Sequence, residues 1–246
     1  MMAGHYATAL VANERLGMLS GNVVNGRTLF YFLIASQLPD LLWVMFHFVG
    51  IESTAPDSVL DMTLKSLTVD MMYSHDLVPS FLWTILVAAS GWALFRSKAV
   101  GFAGGILVLV HVACDYVAGY PHHVFGTDSP SIGFAAYHSV TLQAVASEGL
   151  YTTAVLIYFL HRERRRGIQR SRANRIVILG LFVFNVAFLA SFATTSMRQW
   201  FGLGNLDNTF TAMLPNMLAT YWGMIIVLLL AVRRTKVVAN EHLFPQ

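Results

Sequence analysis

Charge is what this sequence has least of. Only 12% of its 246 residues are Asp, Glu, Lys or Arg, whereas a soluble domain carries about 25%. Together with 56% hydrophobic residues, that deficit argues against a water-surrounded globule and for an integral membrane protein. Cysteine is nearly absent too. The single Cys114 excludes an intramolecular disulfide and any multi-cysteine metal knuckle, and its place in an apolar run fits a small buried residue. The opening MMAGHYATALVANERLG has no basic segment followed by a compact apolar core, so no cleaved signal peptide of ordinary form is expected. No internal repeat or low-complexity tract breaks the chain, so residues 1–246 read as one membrane domain.

What the sequence does have is apolar runs. Six stretches approach the roughly 20 residues that cross a hydrocarbon layer of about 30 Å as helices: 28–50, 79–95, 99–118, 132–160, 176–192 and 212–232. The expected fold is therefore all-α, a polytopic bundle of about six transmembrane helices. The fourth stretch is polar in its first half and reads as one long tilted helix or two shorter pieces. A seventh segment, 5–18, is too short and polar to span, and is expected to be an interfacial or buried helix.

The sixteen Lys and Arg residues set an expected orientation, because cytoplasmic loops are enriched in them. With both termini cytoplasmic, fourteen fall inside: Arg15, Arg27, Arg96, Lys98, seven arginines from Arg162 to Arg175, Arg233, Arg234 and Lys236. Only Lys65 and Arg198 fall outside. The run HRERRRGIQRSRANR then reads as a loop anchoring two spans beside anionic lipid, and the net charge of +3 implies no nucleic-acid partner. The outer loop 51–78 is acidic, with Glu52, Asp57, Asp61, Asp70 and Asp76 against one lysine.

Ionisable groups at membrane depth cost a few kcal/mol and usually face one another inside the protein. Here they are His5, Asp40 after Pro39 in SQLPDLLW, His75 and Asp76 in YSHD, His111, Asp115 and Glu148. His111 and Asp115 stand four apart, so one helix face offers an imidazole and a carboxylate to a single cation. Zinc, iron and manganese all accept such donors. Each residue also has a structural reading. Asp40 fits a buried acid at the helix interrupted by Pro39. His75 fits a solvated loop, Asp76 an N-cap, and His111 with Asp115 a hydrogen-bonded pair. His122 and His123 fit either the site or a surface loop.

The segments GHYATAL, QLPDLLW, YSHDLVPSFLW and HVACDYVAGYPHH resemble a group of uncharacterised bacterial multi-pass membrane proteins with GHYA, QLPD, PYSHSL and SHWxxD motifs. That group in turn resembles the inner-membrane proteins called membrane-bound metal-dependent hydrolases and, more distantly, zinc-dependent phospholipase C. The resemblance covers residues 4–160; the C-terminal pair of spans, 174–233, has no counterpart in it. It implies His5, Asp40, His75, His111 and Asp115 as metal ligands and Glu148 as a further ligand or base. YSHD departs from the usual SHS, placing Asp76 where a hydroxyl residue stands and altering hydrogen bonding around the ligand.

Together these readings lead to an expected metal-dependent hydrolase, most simply a zinc enzyme in a bacterial inner membrane. It would cleave a phosphoester or other ester of a lipid-derived or amphiphilic substrate, with Glu148 or Asp76 as base. A metal-ion carrier or other transporter, and a structural protein with a polar packing cluster, are the alternatives. For His5 to reach the other ligands from the cytoplasmic side, the N-terminal helix must dip into the membrane or the first span must break at Pro39.

Overall fold

The computed structural model describes residues 2–20, 26–204, 211–233 and 236–237. Arg234 and the polar tail with His242 lie outside the described residues. The described chain is a helical bundle: α1 (Met2–Ser20), α2 (Gly26–Phe48), α3 (Leu77–Phe95), α4 (Lys98–Ala118), α5 (Ala136–Ser139), α6 (Thr141–Arg165), α7 (Arg172–Ser191), α8 (Met197–Phe201) and α9 (Met213–Arg233). Only two-residue β-ladders accompany them among the described residues, including β1 (Thr54–Ala55) with β2 (Thr68–Val69) and β3 (His122–His123) with β4 (Ser131–Ile132).

Five helices, α2, α3, α4, α7 and α9, are long and apolar enough to cross a membrane, and they mark an integral membrane protein. Their outer faces carry the expected lipid-contacting side chains, such as Phe81, Ile85, Leu94, Val183 and Phe184. The fourth expected span, 132–160, differs. Its polar first half separates as α5, and α6 continues for 25 residues, about 37 Å of helix. α6 has the length but not the mean hydropathy, because polar residues stand on both its faces, Gln143, Ser147 and Thr153 exposed among them. Glu148, Thr152 and Glu163 are buried, whereas Leu150 and Ile157 point outward.

α1 is a core helix. Ala3, Ala7 and Ala9 are small and fully buried, and a Cβ on Gly4 would lie 2.7 Å from the Tyr151 ring. Small side chains let α1 approach its neighbours closely, as in membrane bundles generally. Polar contacts fix its depth. Glu14 faces Arg162 and Arg166, and Arg15 hydrogen-bonds Tyr158, at the arginine-rich end of the bundle. At the other end of α1, the Met2 carbonyl accepts from Gln37 Nε2 at 2.8 Å. The helix therefore runs from the arginine-rich end into the bundle's middle. Of the two routes open to His5, the dipping N-terminal helix is the one observed, since α2 runs through Pro39 unbroken.

α3 and α4 form a tight hairpin for the same steric reason. A Cβ on Gly101 would meet the Ala88 carbonyl at 2.4 Å, and one on Gly104 would meet the Tyr31 hydroxyl at 2.3 Å. Tyr31 uses that space to donate to the Val87 carbonyl, which docks α2 on the hairpin. The apolar core falls into two clusters. One, toward the arginine-rich end, holds Tyr6, Leu10, Phe32, Leu33, Phe159 and Phe182. The other, beneath the loop 51–76, holds Trp43, Leu64, Leu67, Tyr120, Tyr137 and Tyr221.

That loop is fastened down. Ser58 pairs with Ala212 at the start of α9, Leu64 and Lys65 amides donate to the carbonyls of Phe192 and Ala193, and Arg198 forks onto Asp61. The guanidinium holds the Asp61 carboxyl below its ordinary value.

Candidate metal centre

The ionisable groups meet between the two apolar clusters. α2 supplies Asp40, the turn before α3 supplies His75, and α4 supplies His111 and Asp115 one turn apart. One donor atom from each of the four lies within 4.8 Å of every other, and all four residues are buried. Individual separations are 3.0 Å for His111 Nε2 to Asp115 Oδ2 and 3.4 Å for His75 Nε2 to Asp40 Oδ1. His75 Nε2 to Asp115 Oδ2 and His111 Nε2 to Asp40 Oδ1 are both 3.7 Å. A tetrahedral ion with ligands at about 2.0–2.2 Å has donors about 3.3–3.6 Å apart along its edges. The observed separations bracket that range, so the cluster could hold a metal ion.

Hydrogen bonds on the far sides of the two imidazoles settle what they offer. His111 Nδ1 lies 2.7 Å from the Ser36 carbonyl, which only accepts, so Nδ1 carries the proton. Pro39 lacks the N–H that would bond the Ala35 carbonyl, which loosens the turn holding Ser36. His75 Nδ1 lies 2.8 Å from Ser74 Oγ, and that hydroxyl sits 2.9–3.0 Å from both oxygens of Glu52. The hydroxyl donates to Glu52 and therefore accepts from His75 Nδ1–H. Glu52 also takes the amides of Tyr73 and Ser74 at 2.8 Å each. Burial nonetheless raises its carboxyl above the ordinary value.

Both Nε2 atoms thus turn lone pairs toward two carboxylates. They are buried and have no hydrogen-bond partner. Two imidazole lone pairs and two carboxylates converging on one point are an arrangement that a cation would satisfy. Replacing Ser74 by Ala should release the His75 tautomer. Metal affinity is expected to fall about 10–100-fold, read by chelator competition, with Ser74→Thr largely restoring it.

The other residues expected at the site are placed as follows. His5 stacks on His111, with ring centroids 3.7 Å apart, and its Nε2 is 3.4 Å from Asp115 Oδ1. It borders the cluster on the opposite side of the Asp115 carboxylate and is not one of the four. Glu148 is fully buried; Oε2 accepts from the Tyr137 hydroxyl at 2.8 Å and Oε1 has no hydrogen-bond partner. Asp76 occupies the N-cap position of α3 without capping it. Its oxygens instead accept from the amides of His123 and Gly126, at 2.8 and 2.6 Å, and fix the loop after α4.

That loop brings in His122, which is buried and stands near-parallel to His75 at 5.7 Å. Neither of its ring nitrogens has a hydrogen-bond partner, and burial foremost, then His75, lowers its pKa to about 3. It is a neutral imidazole in the site wall, and the surface-loop reading does not hold for it.

Asp40, His75, Asp115 and His122 all face a cavity of about 280 Å³. Its other walls are mostly apolar, with Trp43, Met71, Phe188, Leu189, Met217 and Tyr221 among them. His111 lies behind this wall. The cluster is thus closed on the α4 side and open on the cavity side, as sites that admit a substrate are. Comparison with protein-family models, with curated proteins and with solved structures finds no match to this chain.

Proposed function

We propose that the protein is a membrane-embedded, metal-dependent hydrolase that cleaves a phosphoester or other ester of a lipid-derived amphiphile. The observation that carries this reading is a four-donor cluster opening on a mostly apolar cavity in a membrane bundle. Zinc suits a mixed imidazole and carboxylate set of this size. When bound, such an ion supplies Lewis-acid polarisation of the ester and a water acidified toward neutrality. Asp40, His75, His111 and Asp115 hold it. Tyr137 lines the cavity and donates to Glu148, which makes Glu148 the candidate proton acceptor, reached through that hydroxyl. Asp76 is committed to backbone amides and is set aside as base. The resemblance of GHYA, QLPD, YSHD and HVACD to bacterial inner-membrane hydrolases supports the same reading and that location. The arginine-rich end is then cytoplasmic, but the expectation of both termini on that side is corrected: Met2 borders the cavity in the bundle's middle, because α1 enters the core with its N-terminal end first against Gln37.

An ion carrier needs a polar route onward, and the apolar cluster around Phe32, Phe159 and Phe182 lies toward the arginine-rich end. This favours hydrolysis over transport. The test is turnover of chromogenic phosphodiester and carboxylic esters by purified protein in lipid nanodiscs. Cleavage should vanish with chelator, return with zinc and be absent from His111→Ala. Metal accumulation in proteoliposomes, abolished by Asp40→Asn and unaccompanied by cleavage, would replace this reading with the carrier.

A further inference from the structure

The shape of the cavity deepens the proposed function, and the following rests on it. The loop 51–76 roofs the cavity with Val59, Met62, Leu64, Leu67 and Met71. Its fastenings to α8, to the end of α7 and to the start of α9 hold that loop in place over the cavity. Toward the arginine-rich end, α7 and α9 are joined. Asn174 Nδ2 donates to the Ala231 carbonyl at 2.7 Å, and Asn185 approaches the Met224 sulfur at 3.9 Å. Between the roof and that joint, Phe188 and Leu189 of α7 face Met217, Thr220 and Tyr221 of α9 across the cavity. Thr220 lines the cavity yet is exposed on the bundle's surface. It lies seven residues inside α9, about 10 Å from the helix start, within a segment apolar enough to cross a membrane.

We infer that the cavity is a chain pocket reached sideways from the bilayer between α7 and α9, so that the substrate is a lipid whose head meets Asp40, His75 and Asp115 while the first part of one acyl or alkyl chain lies against Leu189 and Met217. A cavity of about 280 Å³ takes only the first part of such a chain. Chain beyond that part leaves between the two helices into lipid. Apolar walls rich in methionine suit such a chain, because thioether side chains repack around irregular apolar shapes. A soluble phosphoester would gain nothing from these apolar walls.

The probe is a set of non-hydrolysable n-hexadecyl phosphonates carrying a diazirine at one defined carbon, photolysed with the full-length protein in phosphatidylglycerol nanodiscs and mapped by mass spectrometry. Diazirines near the head should label Leu189, Met217 or their cavity-facing neighbours, and those near the far end of the chain should label lipid and outward-facing side chains. Met217→Trp fills the pocket and should cut the proximal labelling about tenfold while metal content stays at the wild-type level. Equal labelling of outward residues such as Val183 and Phe184 from every diazirine position, unchanged in Met217→Trp, would overturn the inference. The pocket and the hydrolase can fail separately. Proximal labelling without cleavage of any ester would support the pocket and sink the hydrolase. Cleavage of short soluble esters without proximal labelling would sink the pocket alone.

Discussion

Stripping divalent metal from the purified protein with a strong chelator is expected to lower its melting temperature by on the order of 10 °C, and added zinc should restore it. The size follows from linkage. A ligand held a thousandfold above its dissociation constant stabilises the folded state by about 4 kcal/mol, and 1 kcal/mol moves the midpoint of a chain of this size by about 2–4 °C. The sign follows from the site. Two buried carboxylates face two imidazole lone pairs whose other nitrogens are committed to Ser36 and Ser74. Without a cation, the two carboxylates repel each other beside two imidazole lone pairs in a buried site. His111→Ala should start at the lower temperature and not respond to chelator or zinc. A cluster that merely pins helices together would give the reverse pattern, with the variant destabilised and the wild type indifferent to chelator.

Arg170→Met should cost about 3–5 kcal/mol of stability, the range for removing one partner of a buried ion pair. Arg170 and Glu163 are both buried, and the guanidinium bonds both carboxylate oxygens. Its Nη1 also donates to Asn174 Oδ1 and to the Ala231 carbonyl, at 3.1 and 3.0 Å, joining the end of α6 to α7 and α9. Cutting the arginine leaves Glu163 charged and without its guanidinium partner. The double variant Glu163→Gln with Arg170→Met should recover more than half of the loss, because the stranded charge goes with it. Unfolding in mixed micelles measures both. A loss under about 1 kcal/mol for the single variant would show that water reaches this pair and that it behaves as a surface bridge.

Much of the architecture is local and was legible in the sequence. Long apolar runs dictate helices in a membrane because lipid offers the backbone no partner, and five of the six expected spans have the apolarity of crossing helices. The fourth, 132–160, falls into two pieces, α5 and α6, as one of its two sequence readings had it. In α6, Glu148, Thr152 and Glu163 are polar precisely where the bundle buries them. α1 looked too short and polar for a span, and of its two expected readings, interfacial or buried, the buried one holds, as its Ala and Gly residues permit.

At the site, the i, i+4 spacing of His111 and Asp115 was readable from the chain alone, because one helix turn fixes it. Asp40 and His75 could be named as candidates from their chemistry, but their meeting depends on how three segments pack. The orienting groups were hidden for another reason. Glu52 looked like one acid among five in an outer loop, and only the fold brings it to Ser74, 22 positions away. Ser36 acts through its carbonyl, which every residue has. His122 was ambiguous because a turn after a helix can face either way. Asp76, through two backbone amides, fixes the loop that turns it inward.

Elemental analysis of protein purified in detergent, wild type beside His111→Ala, tests the central claim most directly. The site predicts about one divalent ion per wild-type chain, zinc foremost, and less than a tenth of that in the variant. A wild-type protein free of bound metal even after incubation with zinc, or a variant that retains the full amount, would contradict it.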